Sequence, residues 1–150
     1  MTDRSRAILL VEDNPKDAEL ALWALEKGNV ASRVDVVCDG AQALDYLFGN
    51  GAGPPEELPQ LILLDLKLPK VDGLEVLQQI RSDERLKLIP VVVLTSSHEE
   101  KDIMRSYRLG VNAYVVKPVD FHEFVNAIKE LGVFWAVINQ PPSGSMKKAP

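Results

Sequence analysis

The chain has 150 residues, 46% of them hydrophobic and 26% charged, which is enough for one substantial hydrophobic core and too few for two. Its net charge of -5 disfavours a nucleic-acid partner, because proteins that bind the phosphate backbone concentrate Lys and Arg on one face. The first apolar run, Ala7 to Val11, is far too short for a signal or membrane-spanning segment. We therefore expect a cytoplasmic domain that binds neither DNA nor a membrane.

Five short apolar runs predict strands. Four are almost continuously apolar, which is typical of parallel strands covered on both faces, while the second alternates and is expected at an edge of the sheet. The runs cover residues 7–11, 34–37, 61–64, 91–94 and 113–116. Cys38, the single cysteine, follows the second run, and we expect a small buried thiol there.

Segments with the helical spacing of apolar residues separate these strands. The first helix is predicted to have Asn14 as its N-cap, Pro15 in its first position and Gly28 at its end. Ser97 with Glu100 and Asp120 with Glu123 have the spacing of capping pairs. The later helices are predicted over residues 41–48, 74–82, 99–109 and 121–138.

The alternation of strands and helices predicts an α/β fold. Right-handed crossovers place helices on both faces of a doubly wound, five-stranded parallel sheet, and the expected strand order is the flavodoxin-like 2-1-3-4-5. The Gly- and Pro-rich stretch 49–55 predicts a surface loop before the third strand, and the polar segment after residue 139 predicts a flexible tail. We assign residues 1–139 to one domain and 140–150 to the tail.

Reactive side chains follow four of the strands. They are Glu12, Asp13, Asp65, Thr95 and Lys117, and ligands of an open parallel sheet bind beyond these carboxyl ends. A single Asp at a strand end is most often a turn former or a helix cap. Together, however, strands one and three bring three carboxylates close to one another, so that either one acid is protonated or a cation lies among them. The all-oxygen ligand set favours Mg²⁺.

Thr95 and Lys117 add a hydroxyl and a cation on the far side of Asp65. Phosphoryl transfer needs a nucleophile in line and neutralisation of the phosphoryl oxygens, and Asp65, the metal ion and Lys117 can supply both. The predicted product is an aspartyl phosphate. His98 and His122, the only histidines, fall at predicted helix starts outside this cluster, and we expect no catalytic or metal role for them.

Four motifs resemble the bacterial response-regulator receiver family, which includes the chemotaxis receiver. They are Leu10-Val11-Glu12-Asp13-Asn14-Pro15, Leu63-Leu64-Asp65-Leu66-Lys67-Leu68-Pro69 with Asp72-Gly73, Leu94-Thr95-Ser96-Ser97 and Tyr114-Val115-Val116-Lys117-Pro118. The resemblance covers roughly residues 7–138 in the same order and spacing.

The resemblance implies a role for each of these residues. Asp65 would accept a phosphoryl group from a sensor histidine kinase, and the receiver would itself catalyse this transfer and the later hydrolysis. The metal would be held by Glu12, Asp13, Asp65 and the backbone carbonyl of Lys67. Lys117 would contact the phosphate. Thr95 and Tyr114 would form a switch pair that changes the face made by the fourth helix, fifth strand and fifth helix.

Two positions depart from the common pattern of the family. Lys67 replaces a residue that is often polar or small, which bears on the lifetime of the phosphoryl group. Glu12 replaces the commoner Asp, which lengthens the reach of that carboxylate by one methylene. Metal binding should survive the second change.

The end of the last predicted helix is apolar nearly all round. Phe134, Trp135 and Val137 do not share one face, so we expect burial against another molecule, and a second copy of the chain is the first candidate. This ending, with the long loop before the third strand, is similar to single-domain receivers that partner bacteriophytochrome histidine kinases. We expect a homodimer that uses the fourth-helix, fifth-strand, fifth-helix face and the C-terminal helix, and an output through protein contact or phosphorelay.

Three other functions are compatible with an α/β fold of this kind. A flavodoxin-like FMN carrier needs backbone and hydroxyl donors after the first strand, where this chain has Glu12 and Asp13. Phosphatases with an aspartyl nucleophile commonly place another acid two residues later, where this chain has Lys67. A pseudo-receiver that only binds partners would not need the complete set of reactive residues, although it could keep them.

Overall fold

The computed structural model describes residues 7–27, 33–49 and 58–117, together with His122 and Asn126. The described strands are β1 (Ile8–Val11), β2 (Val34–Val37), β3 (Leu61–Leu64), β4 (Val91–Thr95) and β5 (Ala113–Val116). The described helices with assigned bounds are α1 (Pro15–Lys27), α2 (Gly40–Phe48), α3 (Gly73–Ser82) and α4 (Glu100–Arg108).

All five strands form one parallel sheet in the order β2-β1-β3-β4-β5, which confirms the predicted fold class and strand order. The alternating strand β2 lies at an edge, as predicted, and its side chains are only partly buried or exposed. By contrast every residue of β1, β3 and β4 is buried, because helices cover both faces of these central strands.

Alternate residues of each central strand enter two different hydrophobic clusters. Leu9 of β1 belongs to the cluster that contains residues of α2 and α3, whereas Leu10 belongs to the cluster that contains Ala18, Ala21 and Leu25 of α1. Since successive side chains of a strand point to opposite faces, α1 covers one face of the sheet and α2 and α3 cover the other. The doubly wound arrangement is thereby confirmed.

The start of α1 agrees with its predicted cap. The side-chain Oδ1 of Asn14 accepts hydrogen bonds from the backbone N–H groups of Lys16 (2.9 Å) and Asp17 (3.2 Å), and Pro15 occupies the first helical position. These bonds satisfy donors that have no partner inside the helix. The tight entry into α1 fixes the chain immediately after Glu12 and Asp13.

The predicted capping pair of Ser97 and Glu100 is wrong. Glu99 is the N-cap residue of α4 and makes no side-chain cap bond. Ser97 lies two residues earlier, where its Oγ accepts a hydrogen bond from the N–H of Glu99 (3.3 Å) and donates one to Asp102 (2.6 Å). The helix begins one residue later than the sequence pattern suggested, a shift within the usual uncertainty of helix boundaries.

The prediction of a buried Cys38 is also wrong, because this side chain is exposed. The strand β2 ends at Val37, and Cys38 lies between the sheet edge and Asp39, which caps α2 by accepting a hydrogen bond from Gln42 N–H (2.7 Å). A residue one position beyond an edge strand has no covering helix, so the apolar run preceding it does not predict its burial.

Arg81 connects three parts of the fold. From the last turn of α3, its guanidinium donates hydrogen bonds to the backbone carbonyls of Leu109 (2.7 Å), Lys87 (2.9 Å), Ile89 (2.9 Å) and Gly110 (3.0 Å). Burial lowers the pKa of this guanidinium, which nevertheless stays charged because its ordinary pKa is so high. The bonds tie α3 to the segment before β4 and to the end of α4.

Several predictions lie outside the described residues. They are the Gly28 end of α1, the loop from residue 50 to 55, the capping pair at Asp120 and Glu123, the full extent of the helix over 121–138, and the tail 140–150. His122 and Asn126 are helical. Within the described residues, no helix is long and apolar enough to cross a membrane.

Candidate functional site

The neighbouring strands β1 and β3 bring three predicted carboxylates together. Val11 pairs with Leu64 in the sheet register, so the residues that follow each strand emerge side by side, and the N–H of Asp65 donates to the carbonyl of Val11 (3.1 Å). One oxygen from each of Glu12, Asp13 and Asp65 lies within 4.8 Å of the others. The spacing is suitable for a single cation bound by all three.

The strands β4 and β5 bring the other two predicted residues to the same edge. Thr95 pairs with Val116, and the N–H of Lys117 donates to the carbonyl of Thr95 (2.7 Å). The Lys117 side chain then reaches the acids: its Nζ lies 2.8 Å from Glu12 and 3.0 Å from Asp65. All five sequence-predicted residues are therefore at the carboxyl ends of the strands.

A third carboxylate, which the sequence did not predict, contacts Lys117. Asp17, in the first turn of α1, places its Oδ2 2.9 Å from Lys117 Nζ. An ammonium has three N–H donors, and here all three have a carboxylate oxygen within hydrogen-bonding distance. The sequence offers one indication of this contact, because Asp17 lies four residues after Asp13, at the start of a helix. An acid at that position is, however, also favoured by the helix dipole alone.

Burial and charge act in opposite directions on the ionisation of this cluster. Burial, with the nearby charge of Asp65, raises the pKa of Glu12 to about 7 even though Lys117 and the N–H of Asn14 favour the charged form. Burial also opposes the charge of Lys117, but hydrogen bonds to Glu12 and Asp17 and the charge of Asp65 outweigh it, so that the pKa of Lys117 is raised. The site has more negative charge than one lysine can neutralise.

The loop after β3 fixes the orientation of Asp65. The N–H of Lys67 donates to Asp65 Oδ1 (3.1 Å), and the N–H of Gly73 donates to the carbonyl of Leu66 (2.9 Å). A Cβ on Gly73 would overlap the backbone of Asp65 and Leu66. The start of α3 therefore packs directly against the candidate acceptor residue, and only glycine allows this approach.

The side chain of Lys67, which the sequence singled out as unusual, contacts helix α4. Its Nζ lies 3.5 Å from Asp102 Oδ2, and the lysine side chain is 56% exposed whereas that of Asp102 is 7% exposed. The hydrogen bond from Ser97 lowers the pKa of Asp102, burial opposes this change, and Lys67 adds to the lowering. Asp102 is thus a buried, ionised carboxylate with a bond to a hydroxyl and a cation nearby.

Thr95 and Tyr114 are linked through Ser97. Thr95 is fully buried, and its Oγ1 accepts a hydrogen bond from the N–H of Ser97 (3.3 Å). The Tyr114 hydroxyl donates to the carbonyl of Ser97 (2.9 Å), and the ring is partly buried against the hydrophobic cluster on the α3 side of the sheet. His98 is exposed in the segment between Ser97 and α4.

Comparisons with known proteins show the family of this chain. The model of the response regulator receiver domain family matches residues 8–129. The chain is 46% identical over 136 residues to the probable methanogenesis regulatory protein FilR2 of Methanothrix harundinacea (strain 6Ac), which covers 90% of this chain and 86% of the relative.

Solved structures of similar proteins share the fold over nearly the whole chain. The Mn²⁺-bound form of response regulator Rcp1 has a TM-score of 0.83 and 39% identity, covering 91% of this chain and 99% of that one; the curated Rcp1 sequence is from Synechocystis sp. (strain ATCC 27184 / PCC 6803 / Kazusa). The bacteriophytochrome response regulator RtBRR has a TM-score of 0.73 and 60% identity, covering 97% of this chain and 87% of that one.

The chain belongs to the response regulator receiver domain family of two-component signalling systems. Among its relatives are response regulators associated by name with bacteriophytochromes, as the sequence resemblance indicated.

Proposed function

We propose that this chain is a single-domain response regulator that accepts a phosphoryl group on Asp65 from a sensor histidine kinase. The observation that carries the proposal is the convergence of Glu12, Asp13 and Asp65 within 4.8 Å, with the Lys117 ammonium 3.0 Å from Asp65. A nucleophilic carboxylate beside a cation and an acidic metal site meets the needs of phosphoryl transfer.

The acidic ligands fit Mg²⁺. The proposed ligands are carboxylate oxygens of Glu12, Asp13 and Asp65 and the carbonyl of Lys67, a hard all-oxygen set of the kind that Mg²⁺ prefers. The bound ion would neutralise the carboxylates and the phosphoryl oxygens. Since Lys117 also pairs with Glu12 and Asp65, metal binding and Lys117 compete for these two side chains.

The protein residues have separate tasks in the proposed transfer. A carboxylate oxygen of Asp65 attacks the phosphorus of the phosphohistidine, and the bond from phosphorus to the imidazole nitrogen breaks as the new bond forms. Lys117 lies close enough to Asp65 to pair with a phosphoryl oxygen, and Thr95 offers a hydroxyl donor at the neighbouring strand end. Water then hydrolyses the acyl phosphate, which releases inorganic phosphate and restores Asp65, so that the chain catalyses only its own phosphorylation and dephosphorylation.

The response to phosphorylation is proposed to pass through Thr95 and Tyr114. A phosphoryl group that attracts the Thr95 hydroxyl weakens its present bond with Ser97, whose carbonyl holds Tyr114. The face formed by α4, β5 and the following helix would change as Tyr114 rotates inward. Such a change is a population shift biased by the new charge-assisted contacts.

The partners are inferred from the family and from the relatives. A histidine kinase is the donor, and a bacteriophytochrome kinase is the specific candidate because the bacteriophytochrome response regulator RtBRR is 60% identical. We further propose a cytoplasmic homodimer that uses the α4, β5 and C-terminal helix face, an output through protein contact without DNA binding, and a receiver domain over 1–139 with a tail over 140–150.

The test is intact-mass analysis of the purified protein after incubation with acetyl phosphate. We expect a gain of one phosphoryl group that requires Mg²⁺ and is lost in Asp65→Asn. Asp72→Asn is the matched control, because Asp72 caps α3 near the site but lies outside the acidic group; this variant should still be phosphorylated.

Other results would replace the proposal. If no phosphorylated species forms, even with a histidine kinase and short reaction times, the chain is a pseudo-receiver that acts by binding alone. A phosphorylated species that persists in Asp65→Asn would assign the acceptor to another residue.

A further inference from the structure

A polar network connects the loop after Asp65 with the start of α4. From it we propose that Asp102 holds the Lys67 ammonium against α4, that a phosphoryl group on Asp65 competes for this ammonium, and that its departure releases the β4–α4 segment. This inference rests on the proposed function of Asp65 as the acceptor. It assigns Asp102 and Lys67 as positioning residues of the switch.

Asp102 is the anchor of the network. It lies in the first turn of α4 and is 5% exposed, and its Oδ2 accepts a short hydrogen bond from Ser97 Oγ (2.6 Å) and lies 3.5 Å from Lys67 Nζ. The neighbouring Lys101 directs its ammonium toward Glu99, at 3.9 Å. A buried carboxylate that loses its cation is destabilised far more than an exposed one. Moving the Lys67 ammonium away therefore destabilises the Asp102 carboxylate at the start of α4.

Lys67 can leave Asp102 without refolding of the loop. Its N–H is already bonded to Asp65 Oδ1 at 3.1 Å, which places its backbone beside the acceptor carboxylate, while its side chain is largely exposed and has a flexible stem. Phosphorylation brings close to two negative charges to Asp65. The doubly charged group therefore competes with the single charge of Asp102 for the ammonium.

Ser97 passes the change on to the sheet. Three of the hydrogen bonds of Ser97 make this connection: its hydroxyl donates to Asp102, its N–H donates to Thr95 Oγ1, and its carbonyl accepts from the Tyr114 hydroxyl. A shift of Asp102 alters the position of Ser97, and any shift of Ser97 alters the bond that holds Tyr114. The loop that contains Asp65 and Lys67 is thus coupled to β5 through Asp102 and Ser97, in addition to any direct attraction of the Thr95 hydroxyl by the phosphoryl group.

Coupling between two sites is reciprocal. If phosphorylation draws Lys67 from Asp102, then removing the negative charge of Asp102 must favour the phosphorylated state. Partly exposed ion pairs are weak, so Asp102→Asn should tighten binding of a phosphoryl mimic by about two- to fivefold.

The test uses trifluoroberyllate as the phosphoryl mimic, with saturating Mg²⁺ and the full chain. Its dissociation constant is measured by titration for wild type, Asp102→Asn, Lys67→Gln and the double variant. Glu99→Gln is the matched control, since Glu99 is an exposed acid at the same helix start that pairs with a different lysine. We expect tighter binding in Asp102→Asn, no change in Glu99→Gln, and no effect of Asp102→Asn when Lys67 is already Gln.

Amide NMR spectra provide the second measurement. The Ser97 and Tyr114 resonances of unliganded Asp102→Asn should move toward their positions in the trifluoroberyllate-bound wild type. If Asp102→Asn does not fold, the same movement is expected in Lys67→Gln, whose altered side chain is exposed.

The outcomes separate the two proposals. Unchanged affinity, an equal effect in the Lys67→Gln background, or unmoved resonances would overturn the role of Asp102 while leaving Asp65 as the acceptor. A wild-type protein that binds no trifluoroberyllate and takes up no phosphoryl group would overturn both.

Discussion

Glu12 should make the metal-free protein less stable as the pH rises. Its carboxyl is 4% exposed, and its pKa is raised from 4.5 to about 7. Because the folded state holds the proton more tightly than the unfolded chain, raising the pH between these two values favours unfolding. The usual pattern for a paired acid, in which stability is lost on acidification, is reversed here.

The size of the effect follows from the two pKa values. Each unit of pKa difference corresponds to about 1.4 kcal/mol, and linkage between pH 5 and pH 7.5 gives a loss of about 2 kcal/mol in the free energy of unfolding. Lys117, with a raised pKa, contributes stability that persists through this window and is lost only at strongly alkaline pH. Asp102, with a lowered pKa, loses its contribution only below the window.

The assay is urea unfolding in EDTA at a series of pH values, for wild type and Glu12→Gln. The uncharged amide has no proton to release in this range, so Glu12→Gln should lack the decline and be the more stable protein at pH 7.5. Glu26→Gln, which alters an exposed acid of α1, serves as the surface control and should keep the wild-type slope.

Equal pH slopes in wild type and Glu12→Gln would refute the reasoning. In that case the contacts with Lys117 would fully offset the effect of burial on the pKa of Glu12. The excess negative charge of the site would then not destabilise the folded state.

Three further predictions concern Mg²⁺ binding, Gly73 and Arg81. At pH 8, Mg²⁺ at 100 times its dissociation constant should raise the free energy of unfolding by about 2.7 kcal/mol. The same Mg²⁺ concentration should give a smaller gain at pH 5.5, where the proposed ligand Glu12 holds its proton. EDTA or Asp13→Asn should abolish the gain in urea titrations. Gly73→Ala should lower the free energy of unfolding by about 1 to 3 kcal/mol, because the added methyl overlaps the backbone of Asp65 and Leu66. An unchanged urea midpoint would show that this backbone can move to make room. Arg81→Leu should lower the free energy of unfolding by about 3 kcal/mol or more, since four carbonyls lose a charged donor. In thermal unfolding, Arg81→Lys should recover only part of that loss. Full recovery would show that the shape of the guanidinium is not needed for these bonds.

Local sequence patterns were sufficient for the strands and placed the start of each of the helices α1 to α4 within one residue of its position in the structure. The central strands are continuously apolar because both of their faces are covered, and Asn14-Pro15 has the chemistry of a helix start. Since parallel strands end at one edge, the pattern also placed Glu12, Asp13, Asp65, Thr95 and Lys117 near one another. The same local reasoning failed at Cys38 and at Ser97, because neither the end of an edge strand nor the first residue of a helix is fixed by composition.

The sequence by itself determined the fold class, the strand order and which polar side chains meet at the carboxyl edge of the sheet, since these depend on periodicity and on which side chains follow each strand. Only the tertiary structure decided how those side chains are paired. Asp17 reaches Lys117 across 100 positions of sequence, and Lys67 meets a buried Asp102 on another helix. Such long-range contacts depend on helix placement and side-chain direction, and no local pattern of residues encodes them.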